Sequence, residues 1–288
     1  MGEINIAEFV RDLDYGSVAG IAVLLGGVLV LSYWLSETCW GRDALKDSQA
    51  RENFLPLHTP FFVLAAWFLI PAVAMAVARS LTEELADWKG VVVDNIILSV
   101  AALVASGVVV RLAAIYFHGG LRGFGIGFRH IGKDFLCAAV NLLAVWPVVT
   151  GALLLTLRAG QWFVGPDFEI GRHEELQFFS DYTQSSLRFV IVITAAVVVP
   201  VFEELLFRGL IQSVLRSRLG RVWPAVFITS AFFAVVHPTA SHWPALFVLA
   251  LALGYAYEKS GSILRPIFIH SFFNAISISA VLIEQSNV

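Results

Sequence analysis

The chain has 288 residues, 58% hydrophobic and only 14% charged, with a mean hydropathy of +0.78 and a formal charge of −3. A soluble domain carries about a quarter charged residues, so this composition excludes a water-soluble globule and requires lipid around the protein. No Lys/Arg run offers a nucleic-acid surface, and two cysteines, Cys39 and Cys137, support neither a disulfide framework nor a cysteine metal site.

Apolar runs of roughly 18–25 residues read as spanning helices. They predict an all-α polytopic membrane protein of about eight transmembrane helices, at 17–36, 59–79, 92–117, 134–157, 187–216, 222–238, 242–258 and 262–283. The N-terminus, MGEINIAEFVRDLDYG, is acidic and lacks the basic n-region of a signal peptide, so the first helix is expected to be retained. Asp94 and Arg111 are the ionisable residues of the third span. The glycine-rich LRGFGIGFRHIGKD (121–134) lacks the Lys-Ser/Thr ending of a phosphate loop and reads as an interfacial turn. The longest loop, 158–186, contains HEELQFFSDYTQ (173–184), which suits a helix lying at headgroup level. With eight spans, the loops 37–58, 118–133, 217–221 and 259–261 share one side.

The chemistry is concentrated after residue 190. Glu203, Glu204 and Arg208 stand in VVVPVFEELLFRGLIQSVL, His237 ends the next apolar run, and His270 and Asn274 fall in the last. Ionisable groups in hydrocarbon are costly, so they face a protein interior or a watery cavity and mark function. Glu204 and Arg208, four apart, share a helix face and are expected to pair. Glu203 points about 100° away, without a local cation, as suits a general base. Pro200 is expected to kink this helix and free a carbonyl. Gly220 lies midway between Glu203 and His237, so at about 1.5 Å per residue both sit about 25 Å from that turn and can meet. His270 and Asn274 also share a face. Pro266 is expected to loosen their helix, and His270 comes out about 10 Å short of the Glu203 level. His242 reads as an interfacial side chain.

EELLFR reads as EExxxR, FAVVH (233–237) as FxxxH and HSFFN as HxxxN. With the run GYAYEKSGSILRPIFIHSFFN, they resemble the CPBP family of CAAX prenyl endopeptidases and bacterial proteins linked to bacteriocin processing and self-immunity. The resemblance covers residues 186–284 as a catalytic core. Residues 1–185 would add N-terminal transmembrane helices and interfacial segments to the same membrane domain. It implies an intramembrane endopeptidase in which Glu203 activates water, His237 assists, His270 and Asn274 hold the oxyanion, and Glu204 and Arg208 support the helix. No cofactor is expected. Zinc on Glu203, His237 and His270 is the alternative, though the compact HExxH arrangement is absent and Asn274 is a poor zinc ligand. The expected partners are a peptide or membrane-protein substrate and the bilayer, which in a bacterium is the plasma membrane. The charge distribution over the loops and the family resemblance imply opposite orientations. A non-catalytic binding or transport protein would also keep such groups in mid-membrane.

Overall fold

The structure, a computed structural model, describes residues 15–81, 87–171, 178 and 181–286. Among these, seven helices are long and apolar enough to cross a membrane. They are α1 (Tyr15–Glu37), α2 (Thr59–Leu81), α3 (Asp87–Tyr116), α5 (Ile131–Phe163), α6 (Ser185–Leu219), α8 (Trp243–Ser260) and α9 (Leu264–Ser286). Among the described residues two shorter ones, α4 (Gly120–Phe124) and α7 (Val222–Val235), accompany them in an all-α, multi-pass fold. Large apolar side chains such as Leu29, Phe62 and Leu155 lie mostly exposed, as a lipid solvent permits.

The expected span 222–238 is corrected. α7 has only 14 residues, about 21 Å of helix, against a hydrocarbon core of about 30 Å. Pro238 is the cause: it disfavours helical geometry at His237, so the helix stops short and the chain leaves through a turn and the short 3₁₀ segment Ala240–His242. Pro266 is corrected as well. It falls in the first turn of α9, where a missing N–H costs no intrahelical bond, and it introduces no loosening. The glycine-rich stretch is more ordered than an interfacial turn, because α4 buries Phe124 completely. Gly209 of α6 faces that ring, and any side chain there would collide with it. Of the expected headgroup-level helix, residues 173–177, 179 and 180 lie outside the described residues. Phe178 and Tyr182 pack on a small apolar cluster that includes Leu187, Ile191 and Ile278.

Three of the four loops expected on one side, 37–58, 118–133 and 259–261, meet at a polar floor of the bundle, and Arg216, just before the fourth, reaches the first. Phe54 N–H donates to Tyr116 O and His118 N–H to Glu52 O, joining the 37–58 loop to the end of α3. Ile263 N–H donates to Gly125 O, tying the 118–133 connection to the start of α9. Tyr257, fully buried, donates its hydroxyl to Phe124 O at 2.8 Å and carries the Arg51 guanidinium over its ring at 3.5 Å. Glu258, also buried, binds Arg216, receives Gln212 Nε2 at 2.9 Å and lies 3.6 Å from Arg51. Arg216 in turn reaches Ser48 O at 2.6 Å, and Lys259 reaches Ala44 O at 2.9 Å. Two arginines thus clamp one carboxylate to the first loop. On the same side, Arg265 of α9 donates twice to buried Asp134 at the start of α5.

Removing one partner of a buried ionic cluster leaves the rest uncompensated, typically at a cost of about 3–5 kcal/mol. Glu258→Ala is therefore expected to lower the thermal midpoint of the detergent-solubilised protein sharply. An unchanged midpoint would show that the floor does not hold the loops.

Candidate functional site

α6 is the central strut of the site, and it is not a uniform α-helix. Thr194–Val198 and Leu205–Gln212 are π-helical turns on either side of Val199–Glu204. At the first of them, Val199 N–H reaches back five residues to Thr194 O. Pro200, one residue further on, has no N–H to give. The sequence implied a kink there; the chain instead widens a turn, a known way for a helix to absorb a missing bond.

From Glu204, a polar row runs down α6 at every fourth position: Glu204, Arg208, Gln212 and Arg216, all buried. Each of the lower three engages α8. Arg208 donates to Ala250 O at 3.2 Å, Gln212 to Gly254 O at 3.2 Å, and both Gln212 and Arg216 to Glu258. Four residues of α-helix turn through about 400°, so a strict fourfold row slews about 40° per step. The second π-helical stretch packs more residues into each turn and slews the other way, which keeps the row facing α8. Gly254 completes the fit, because a Cβ there would press on the Gln212 amide at 2.7 Å.

At the top of the row sits the ion pair expected from spacing. Arg208 Nη1 donates to Glu204 Oε1 at 2.9 Å with both side chains fully buried. The same oxygen accepts from His270 Nδ1 at 2.9 Å. The other ring nitrogen, Nε2, faces Glu203 Oε2 at 3.7 Å. Glu203 is thus not without a basic neighbour, as its own helix suggested; the neighbour comes from α9. It keeps 15% of its side-chain surface open, whereas Glu204 has none. The 10 Å shortfall for His270 is corrected too. The π-helical stretch below Glu204 rises less per residue than an α-helix, which lowers the two carboxylates toward the floor, and two long side chains span what is left.

His237 stands at the same site without pairing with Glu203; among the described residues no ion pair joins them. Its Nδ1 bonds Phe233 O at 2.7 Å, and Trp243 Nε1 donates to His237 O at 2.9 Å. Since a carbonyl only accepts, Nδ1 carries the proton and Nε2 is the basic nitrogen in the neutral ring. Phe233 is the shared wall. Its ring lies 4.7 Å from His237, 5.8 Å from His270 and 4.6 Å from the Arg208 guanidinium. Asn274, one turn beyond His270, donates to Ala195 O at 2.8 Å. His242, read as interfacial, is buried as the last residue of the 3₁₀ turn that leads into α8.

Among the described residues, no three His, Cys, Asp or Glu side chains converge closely enough to hold a metal ion. Glu203, His237 and His270 do not form such a group in this structure. Sequence reading had missed Phe233 as more than a motif letter, and had missed Gln212, Arg216 and Glu258 altogether. The fourfold spacing of the row was the available signal. Near the end of a span, however, arginine and glutamate look like ordinary interfacial charges.

Comparison with known proteins bears on this part of the chain. Residues 185–276 match the family model described as type II CAAX prenyl endopeptidase Rce1-like. An uncharacterized 24.3 kDa protein of Escherichia coli is 32% identical over 83 residues, which make up 27% of this chain and 38% of that protein. The match thus spans less than half of that relative. No solved structure matches the chain. Residues 185–276, which contain Glu203, Glu204, Arg208, His237, His270 and Asn274, are thus similar to the Rce1-like type II CAAX prenyl endopeptidases.

Proposed function

We propose that the protein is an intramembrane endopeptidase that hydrolyses a peptide bond with water activated by Glu203. One observation carries this reading: of two adjacent carboxylates, Glu204 is fully buried and committed to Arg208 and His270, whereas Glu203 is partly open and faces a ring nitrogen 3.7 Å away. That gap is too long for a direct hydrogen bond.

In this mechanism Glu203 takes a proton from water, assisted by His237 Nε2, as the oxygen forms a bond to the substrate carbonyl carbon. The carbonyl electrons move to its oxygen, where His270 Nε2 and the second amide hydrogen of Asn274 donate. Because His270 Nδ1 already donates to Glu204, Nε2 donates only in the imidazolium form, with Glu204 as its counter-charge. Such oxyanion donors are worth about 2.7–4 kcal/mol each. Collapse breaks the C–N bond, and the proton held by Glu203 goes to the departing amine. No metal takes part. The substrate is a peptide or membrane-protein segment reaching the site from the bilayer, and the prenylated C-terminal peptides named in the family description are the first class to try.

The two glutamates are expected to separate experimentally. Glu203→Gln abolishes cleavage at unchanged expression and thermal midpoint. Glu204→Gln also lowers the midpoint, since it leaves Arg208 uncompensated at about 3–5 kcal/mol. Peptide N-termini in membranes from cells carrying wild type or Glu203→Gln provide the readout. Termini confined to wild type establish proteolysis; identical sets at matched expression overturn it in favour of a binding or transport role. Cleavage is further expected to survive chelators, in protein whose elemental analysis shows no stoichiometric zinc. Loss of activity that added zinc restores would sink the metal-free mechanism.

A further inference from the structure

We propose that Pro200 is a positioning residue that acts through Asn274: by withholding an N–H it strands the Ala195 carbonyl, and that carbonyl fixes the depth of the His270-bearing face of α9. The inference rests on the peptidase reading for its catalytic consequence and on geometry alone for the coupling itself. Within the π-helical turn, Val199 N–H bonds Thr194 O, five residues back. The same register carried forward one residue pairs position 200 with Ala195 O. Proline has no donor, and an unsatisfied carbonyl inside a membrane protein is costly. Asn274 Nδ2 supplies the missing bond at 2.8 Å.

The bond is well placed to set geometry. α6 and α9 run antiparallel and are tied at two levels, His270 to Glu204 and Asn274 to Ala195. His270 and Asn274 share one helix face, so fixing the second fixes the height and rotation of the first. The turn is itself anchored from the other side, where Ser99 of α3 and Thr194 share a hydrogen bond of 2.8 Å. Ala196 packs with Leu187, Ile191 and Ile278 just above. Neither ring nor amide has freedom to slide along α6.

With alanine at 200, an N–H returns and the turn is free to tighten into α-helix, withdrawing Ala195 O from Asn274. The test is a double-mutant cycle on the full-length protein in detergent, read both by thermal midpoint and by cleavage of an internally quenched peptide carrying a farnesyl-cysteine. Asn274→Ala is expected to lower the midpoint. Adding Pro200→Ala is expected to restore part of it, because the new N–H satisfies the stranded carbonyl. On its own, Pro200→Ala is expected to cut kcat about tenfold or more with KM within about twofold, as for a small misplacement of catalytic groups. Strictly additive midpoint losses, or an unchanged kcat for Pro200→Ala, overturn the proposal. If wild type itself leaves the peptide and the cellular membrane proteins uncut, the peptidase reading falls, and the midpoint cycle alone decides whether Pro200 and Asn274 share one carbonyl.

Discussion

A glutamate and an arginine with no exposed surface, 2.9 Å apart on one helix, are the constraint around which the C-terminal part of the chain is arranged. Neither charge is tolerable alone in the middle of a bilayer. Each therefore recruits further partners: Arg208 takes a carbonyl of α8 and the face of Phe233, and Glu204 takes His270 of α9. Satisfying one costly pair thus draws together α6, α7, α8 and α9. The polar row below it repeats the logic, each side chain docking on an α8 carbonyl or on Glu258. An apolar seam would permit these helices to slide along one another; a row of mated polar groups fixes their register.

That register bears on how two neighbouring carboxylates come to differ. Residues one apart on a helix point about 100° from each other, so once Glu204 is locked inward, Glu203 is turned toward the space lined by His270. The sequence repeats a residue type, and the helix converts the repetition into two environments, one closed and doubly bonded, the other open to a small solvent share. Phe233 adds to the division. Its ring lies against the Arg208 guanidinium and against both histidines, so a single aromatic touches the structural charge and the groups assigned to chemistry.

Much of this was readable from residue spacing, because the relevant periods are short. The Glu204–Arg208 pair follows from four-residue spacing, and the class of protein follows from hydropathy. What escaped reading depends on departures from ideal helices or on contacts far along the chain. Depth arithmetic assumed 1.5 Å per residue throughout and left His270 adrift, since nothing in LLFRGLIQ announces a π-helical stretch. Pro200 signalled a disturbed helix but not its form. The count of spans failed at α7, where the apolar run continues to Val236 while Pro238 ends the helix earlier. The floor was invisible for another reason: Arg51 and Glu258 are 207 positions apart in the sequence, and each looked like an ordinary charge at a membrane surface.

The brevity of α7 has a consequence for the surrounding lipid. Its helix of about 21 Å is too short for a hydrocarbon layer of about 30 Å, yet it is flanked by helices of full length. Acyl chains beside it have to compress or tilt to meet its ends. A helix this short brings the end that carries His237 and its following turn closer to headgroups and water than a full span would. The local thickness of the bilayer thus becomes part of the environment in which the polar site operates.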